Sequence, residues 1–152
     1  MALDATAREA NIWDSIKRYF IGNLSYPLTF DKALSAPAIQ GKVVDRWVSF
    51  SLDDMIIGDM SIIQLSIYCC TRQDNEWFKL AQVRDSVYEK LIDVTKTDTM
   101  RRIMFYQSHP TDAWTEIGTL MVDEITESTR MEAEDETKFK IIHVRLRTAS
   151  KV

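Results

Sequence analysis

Few side chains here are of types that do chemistry, and their spacing decides what each can be. His109 and His143 are the two histidines, far apart, with no third residue in a fixed pattern beside either. His109 precedes Pro110 and reads as a solvated loop residue, while His143 alternates with Ile141 and Arg145 and reads as part of an outer or partly covered sheet face. Cys69 and Cys70 are adjacent, so in a strand they point to opposite faces and read as reduced thiols rather than a disulfide. Cys69 falls on the face predicted to be buried and should be inert; Cys70 is reactive only if the other face is open. Asp53 and Asp54 have the form of half a metal site or of paired carboxylates, but no second acidic pair is tied to them by spacing. A solvated bend in a hairpin accounts for them. Lys138, Lys140, Arg145, Arg147 and Lys151 make the last strand basic, with Phe139 the one ring nearby and an acidic segment adjoining. That pattern suits an ion-paired surface for a protein partner better than a nucleic-acid groove. There is no Gly-rich phosphate loop, no G-x-S-x-G elbow and no C-x-x-C pair. No catalytic residue, cofactor or metal ligand is assigned, and the chain reads as a non-enzyme.

The elements that would position these residues follow from periodicity. From Val44 to Gln73 the chain alternates with period two on both sides of Gly58 and Asp59, the signature of a tight hairpin. Setting Ile57 opposite Met60 places Val48 by Cys69, Phe50 by Ile67 and Leu52 by Leu65, an apolar face whose one-residue slip would mix inner and outer sets. Trp47, Ser49, Ser51, Ser66 and Tyr68 point the other way. Near the tip the alternation fails, because Met55, Ile56, Ile57 and Met60 put apolar residues on both faces. Such a tip either meets a partner or folds over its own core. A first helix is predicted from a Thr6/Glu9 capping box through Ile12, Ile16 and Phe20 to about Gly22. A second, capped by Asp74 or Asn75, carries the stripe Trp77, Leu80, Val83, Val87, Tyr88, Leu91 and Val94, which should lie across the apolar face of the hairpin. Between Leu24 and Val43 the prolines suit a loop with one or two edge strands that periodicity does not place. Arg101–Gln107 reads as a short strand. A second hairpin pairs Trp114–Ile125 with Thr137–Thr148, Leu120 opposite Ile142, joined by a long mobile loop.

The fold class predicted is therefore α+β, one domain over residues 1–152, with an antiparallel or mixed sheet built from two hairpins and two main helices packed on it. Hydrophobic residues are 45% of the chain and Gly and Pro number 4 and 3, so a sizeable core is available without disulfides or metal. The net charge of -4 argues against general nucleic-acid binding. Its distribution is uneven, because Asp123 to Glu136 holds seven acids against Arg130 alone, leaving the remainder slightly basic. The first twenty residues mix acids and bases, which suggests neither a signal peptide nor a membrane span, and action in the cytosol where the chain is made.

In the segments TFDKALSAP, RWVSFSLDD, SIIQLSIYCCTRQDNEWFKLAQVRDSVYEKLID and IIHVRLRT, and in their order along nearly the whole length, the chain resembles the tail terminator family of long-tailed bacteriophages. None of these segments is a diagnostic motif, and no individual residue role is carried over. The resemblance implies a structural virion protein of the head–tail junction, assembled in the host cytoplasm. It would be a ring, hexameric in that family, that caps the tail tube and joins it to the head connector while DNA passes without specific binding. Under that implication Met55, Ile56, Ile57 and Met60 are candidates for an oligomer or tube interface. Glu132, Glu134, Asp135 and Glu136 are candidates for a lumen-facing acidic loop. The stretch from Glu127 to Asp135 and the charged C-terminus match no family feature. Two alternatives stand beside this reading. One is another ring protein of the phage neck or baseplate; the other is a free-standing cytosolic ligand-binding domain using Tyr88, Tyr106, His109 and Cys69 in a cavity between the second helix and the sheet.

Overall fold

A computed structural model describes residues 9–30, 44–56, 60–93, 99–107 and 115–149. Helix α1 spans Glu9–Asn23, β1 Leu28–Thr29, β2 Arg46–Ile56, β3 Met60–Thr71, α2 Phe78–Glu89, β4 Ile92–Asp93, β5 Thr99–Met100, β6 Arg102–Gln107, β7 Thr115–Glu127, β8 Met131–Glu132 and β9 Lys138–Ala149. Among the described residues, seven strands form one sheet in the order β1-β2-β3-β9-β7-β6, with β8 also on β9, and β4 pairs with β5 apart from it. Within that sheet β1 and β2 run parallel and the other pairs antiparallel, so the class is α+β with a mixed sheet. A sheet made from two hairpins is too simple a description: β1, β6 and β8 extend it.

Both helices cover one face of this sheet. Ile12, Ile16 and Phe20 recur every four residues on α1, and Leu80, Val83 and Val87 line α2; all are buried in one cluster with Val48, Phe50, Leu65 and Ile67. The predicted packing of the second helix on the first hairpin is what forms, with Leu80, Val87 and Leu91 all buried. Ser15 fastens α1 to β6, its hydroxyl accepting from the Tyr106 N–H at 2.9 Å. The Tyr19 hydroxyl donates to the Lys90 carbonyl at 2.6 Å, joining α1 to the end of α2.

Helix α2 is shorter than its stripe. Its N-terminus is satisfied by Asp74, whose carboxylate accepts from the N–H groups of Lys79 at 3.1 Å and Leu80 at 2.9 Å and from the Thr71 hydroxyl at 3.2 Å. Burial pushes the Asp74 carboxyl up, and the Leu80 and Lys79 N–H groups more than offset that, holding it below its ordinary value. Trp77 closes the turn in the left-handed region at φ 63. At the other end the chain leaves the helix at Lys90 and enters β4, where Ile92 is β-branched and pairs across to Met100. Thr6 and Val94, predicted at the helix ends, lie outside the described residues, as do His109 and Lys151.

The first hairpin has the predicted register from Arg46↔Thr71 through Val48↔Cys69 and Phe50↔Ile67 to Leu52↔Leu65. Beyond it a bulge at Asp53 moves the pairing by one residue, so that Met55 faces Ile63 and Ile56 faces Ile62. Ile57, predicted to face Met60, lies outside the described residues. The second register is corrected. Leu120 does not face Ile142; instead Val122 faces Leu146 and Ile125 faces Val144, with a bulge at Asp123, and Leu120 faces Ile103 of β6. The expected pairing would have set Gly118 and Glu116 against Val144 and Leu146, whereas the observed one sets apolar residues there. Consequently the acidic segment is no long loop. β7 runs to Glu127, β8 continues on β9 with Met131 opposite Phe139, and the reversal is the short turn from Ala133 to Thr137, with Glu136 at φ 66.

Candidate functional site

The face of the sheet away from the helices carries the residues that sequence chemistry singled out. Cross-strand rows step along it from an apolar end to an apolar tip. Trp47, Cys70 and Phe139 form a satellite core with Tyr68 and Ile141, and Cys70 is fully buried there. Its thiol is pushed up to about 12 by burial, and burial likewise raises that of Cys69, so neither is a nucleophile at neutral pH. Next comes the row Ser51, Ser66, His143 and Thr126, then Asp54, Gln64, Arg145 and Glu124, and finally Ile56, Ile62, Arg147 and Met121.

The two middle rows surround a cavity of about 220 Å³ lined by Asp53, Gln64, Glu124, Thr126, His143 and Arg145. Ser66 sits beneath it, donating to Asp53 Oδ2 and lying 3.1 Å from His143 Nδ1. The Ser51 hydroxyl donates to Asp53 Oδ1 at 3.0 Å. Serine, histidine and aspartate thus meet, but in an order unsuited to nucleophilic catalysis. A triad needs histidine between the other two, so that the carboxylate steadies the imidazolium as it takes the serine proton. Here serine is in the middle and the carboxylate bonds the serine. The cluster instead holds the bulged backbone at Asp53, which is the bend expected of Asp53 and Asp54. Among the described residues, no group of three or more His, Cys, Asp or Glu side chains is placed to hold a metal ion.

Asp123, the other bulge residue, accepts from Arg145 Nε at 2.8 Å and from Arg147 Nη1 at 3.4 Å, and Glu124 lies 3.0 Å from Arg145 Nη2. Arg145 and Arg147 of the basic last strand are therefore ion-paired within their own sheet. On the inner face Glu127 takes both Arg84 Nε at 2.6 Å and Arg84 Nη2 at 3.0 Å, with Lys140 Nζ at 3.5 Å. The Arg84 hydrogen bond holds its carboxyl below the usual range. Asp135 pairs with Arg72 at 2.7 Å. Four of the seven acids between Asp123 and Glu136 are thus matched by bases elsewhere in the chain. Glu132, Glu134 and Glu136 are exposed, as is Asp135, at the turn end of the sheet.

The hairpin tip is apolar and open: Ile56 is 56% and Met60 44% exposed, while Met55 leans on the core. Ile57 lies outside the described residues. Periodicity did not single out Met121 and Met104, which are exposed on the same outer face. The signal was available, since Met121 lies between Leu120 and Val122, both buried. Of the residues proposed for a ligand site, His109 lies outside the described residues and the other three are engaged elsewhere. Cys69 is sealed in the core, the Tyr88 ring lies under Arg84 at 4.0 Å, and the Tyr106 ring lies under Arg18 at 4.3 Å. Core side chains pack between α2 and the sheet, and the cavity described above is on the opposite face.

No family model matches the chain, and no curated protein matches it. A solved structure whose name describes no activity is similar at a TM-score of 0.55 and 8% identity, over 91% of this chain and 95% of that one. At that identity the likeness concerns the fold. No helix among the described residues is long and apolar enough to cross a membrane.

Proposed function

We propose that this chain is a structural virion protein, a tail terminator at the head–tail junction of a long-tailed bacteriophage. In this reading copies assemble as a ring, six in number as in the family it resembles. The ring caps the tail tube, stops its growth and offers the head connector a seat, with no catalytic step. DNA passes without specific binding. One observation carries most of the weight: Ile56 and Met60 on one side of the ion-paired Arg147, and Met121 and Met104 on the other, leave apolar groups uncovered at one end of the outer sheet face. Exposed apolar residues gathered on one face mark an interaction surface. The order of elements and the Asp–Ser–His arrangement, wrong for catalysis, support a binding rather than an enzymatic role.

Native mass and negative-stain imaging of the pure protein test the reading. Rings that disappear in Ile56→Asp, with the unfolding midpoint unchanged, are the expected result. A chain monomeric at all salts and concentrations, or an Ile56→Asp variant that unfolds, counts against it.

A further inference from the structure

These apolar groups are not alone on their face. Beside them the cavity and its margin carry four carboxylates against three arginines: Asp123 and Glu124 pair with Arg145 and Arg147, Asp53 accepts from Ser51 and Ser66, Asp54 accepts from the Met55 N–H, and Arg102 is exposed opposite Met121. The surface therefore combines apolar groups with a local excess of negative charge. On the opposite, helical layer, α1 has the converse pattern. From Ser15 to Asn23 it has no acid; Lys17 and Arg18 precede Ile21 by four and three residues, so the three share one side of the helix. Ile21 is 61% exposed, although Ile16 and Phe20 of the same helix are fully buried. The Lys17 ammonium lies over the Phe30 ring at 5.5 Å and the Arg18 guanidinium over the Tyr106 ring at 4.3 Å, so both cations sit at the edges of the helix beside Ile21.

We infer that the outer sheet face receives the C-terminal half of α1 from a second copy of this chain. Ile21 packs on Met121, and Lys17 and Arg18 reach the carboxylates of Glu124 and, across the cavity, Asp53. Size, polarity and sign match, and the two surfaces lie on opposite layers of the domain. A contact between different surfaces is heterologous, so each copy keeps one knob and one socket open and successive copies close a ring or grow a filament. A socket-to-socket contact would stop at a dimer. This inference rests on the ring reading and names the contact that would build the ring.

The experiment uses the full chain in sedimentation velocity. Ile21→Asp and Met121→Asp alter exposed positions, and each alone should weaken association at least about tenfold, with unchanged circular dichroism and unfolding midpoint. Mixing the two variants is decisive. Met121→Asp keeps an intact knob and Ile21→Asp an intact socket, so the mixture should form one-to-one dimers and nothing larger. Lys17→Glu should also weaken association, and added salt should weaken the wild type. A wild-type ring that is unaffected by both Ile21→Asp and Lys17→Glu overturns this contact and leaves the ring reading standing. Failure of the mixture to form dimers overturns it too. A monomeric wild type overturns both.

Discussion

Replacing Glu127 by glutamine tests whether the acidic segment is part of the folded framework rather than a field of free charge. Glu127 lies on the inner face of β7 and takes both arms of Arg84 from α2, with side chains 26% and 27% exposed. Exposed pairs contribute about 0.2–1 kcal/mol, and breaking a fully buried pair costs about 3–5 kcal/mol. With about a quarter of each side chain exposed, and with Asp85 at 3.0 Å as a second partner for Arg84, the single substitution should cost about 1–2 kcal/mol. A double-mutant cycle with Arg84→Met, read by urea unfolding at neutral pH, should return a coupling of about 1 kcal/mol or more. Its pH dependence has a definite sign. The folded-state carboxyl is depressed by Arg84, so the unfolded chain binds more protons and this contribution rises with pH. It is complete above the unfolded value of about 4.3 and is lost as pH falls through the lower folded value. The substituted amide cannot titrate, so wild type and variant should converge in acid. A cycle that returns less than about 0.3 kcal/mol, or a difference that persists in acid, would refute the reasoning.

Leu91 is fully buried just beyond α2, and Leu91→Ala should cost about 2–5 kcal/mol in urea unfolding; less than about 1 kcal/mol would mean that the site collapses around the deletion. Cys69 and Cys70 should resist a thiol reagent at about pH 8 in the native protein and react at once in denaturant; rapid native labelling would show that the satellite core opens. Neutralising Glu132, Glu134 and Asp135 together should leave particle assembly intact while slowing or trapping DNA release, if these acids line the channel. Normal assembly with release at the normal rate would remove them from it.

The chain alone determined the register of the first hairpin as far as Leu52 and the buried faces of both helices. Alternation around Val48, Phe50, Ile67 and Cys69 is unambiguous because a one-residue slip would send each of these buried residues to the other face, and the paired register follows from that cost. The stripes of α1 and α2 are legible for the same reason, since burial selects one side of a helix. Long-range pairing decided the rest. Where β7 meets β9, several registers bury apolar residues, and the choice fell to partners remote in sequence: Ile103 behind Leu120, Arg84 on Glu127, Arg145 and Arg147 on Asp123. Neither bulge is written in periodicity. Each carries an aspartate whose acceptors are met only once Ser51 and Ser66, or two arginines, arrive from other positions on the sheet. The seven acids that looked like one exposed charged loop became mostly paired for that same reason, because an ion pair is a property of the folded distance and not of the count of charges.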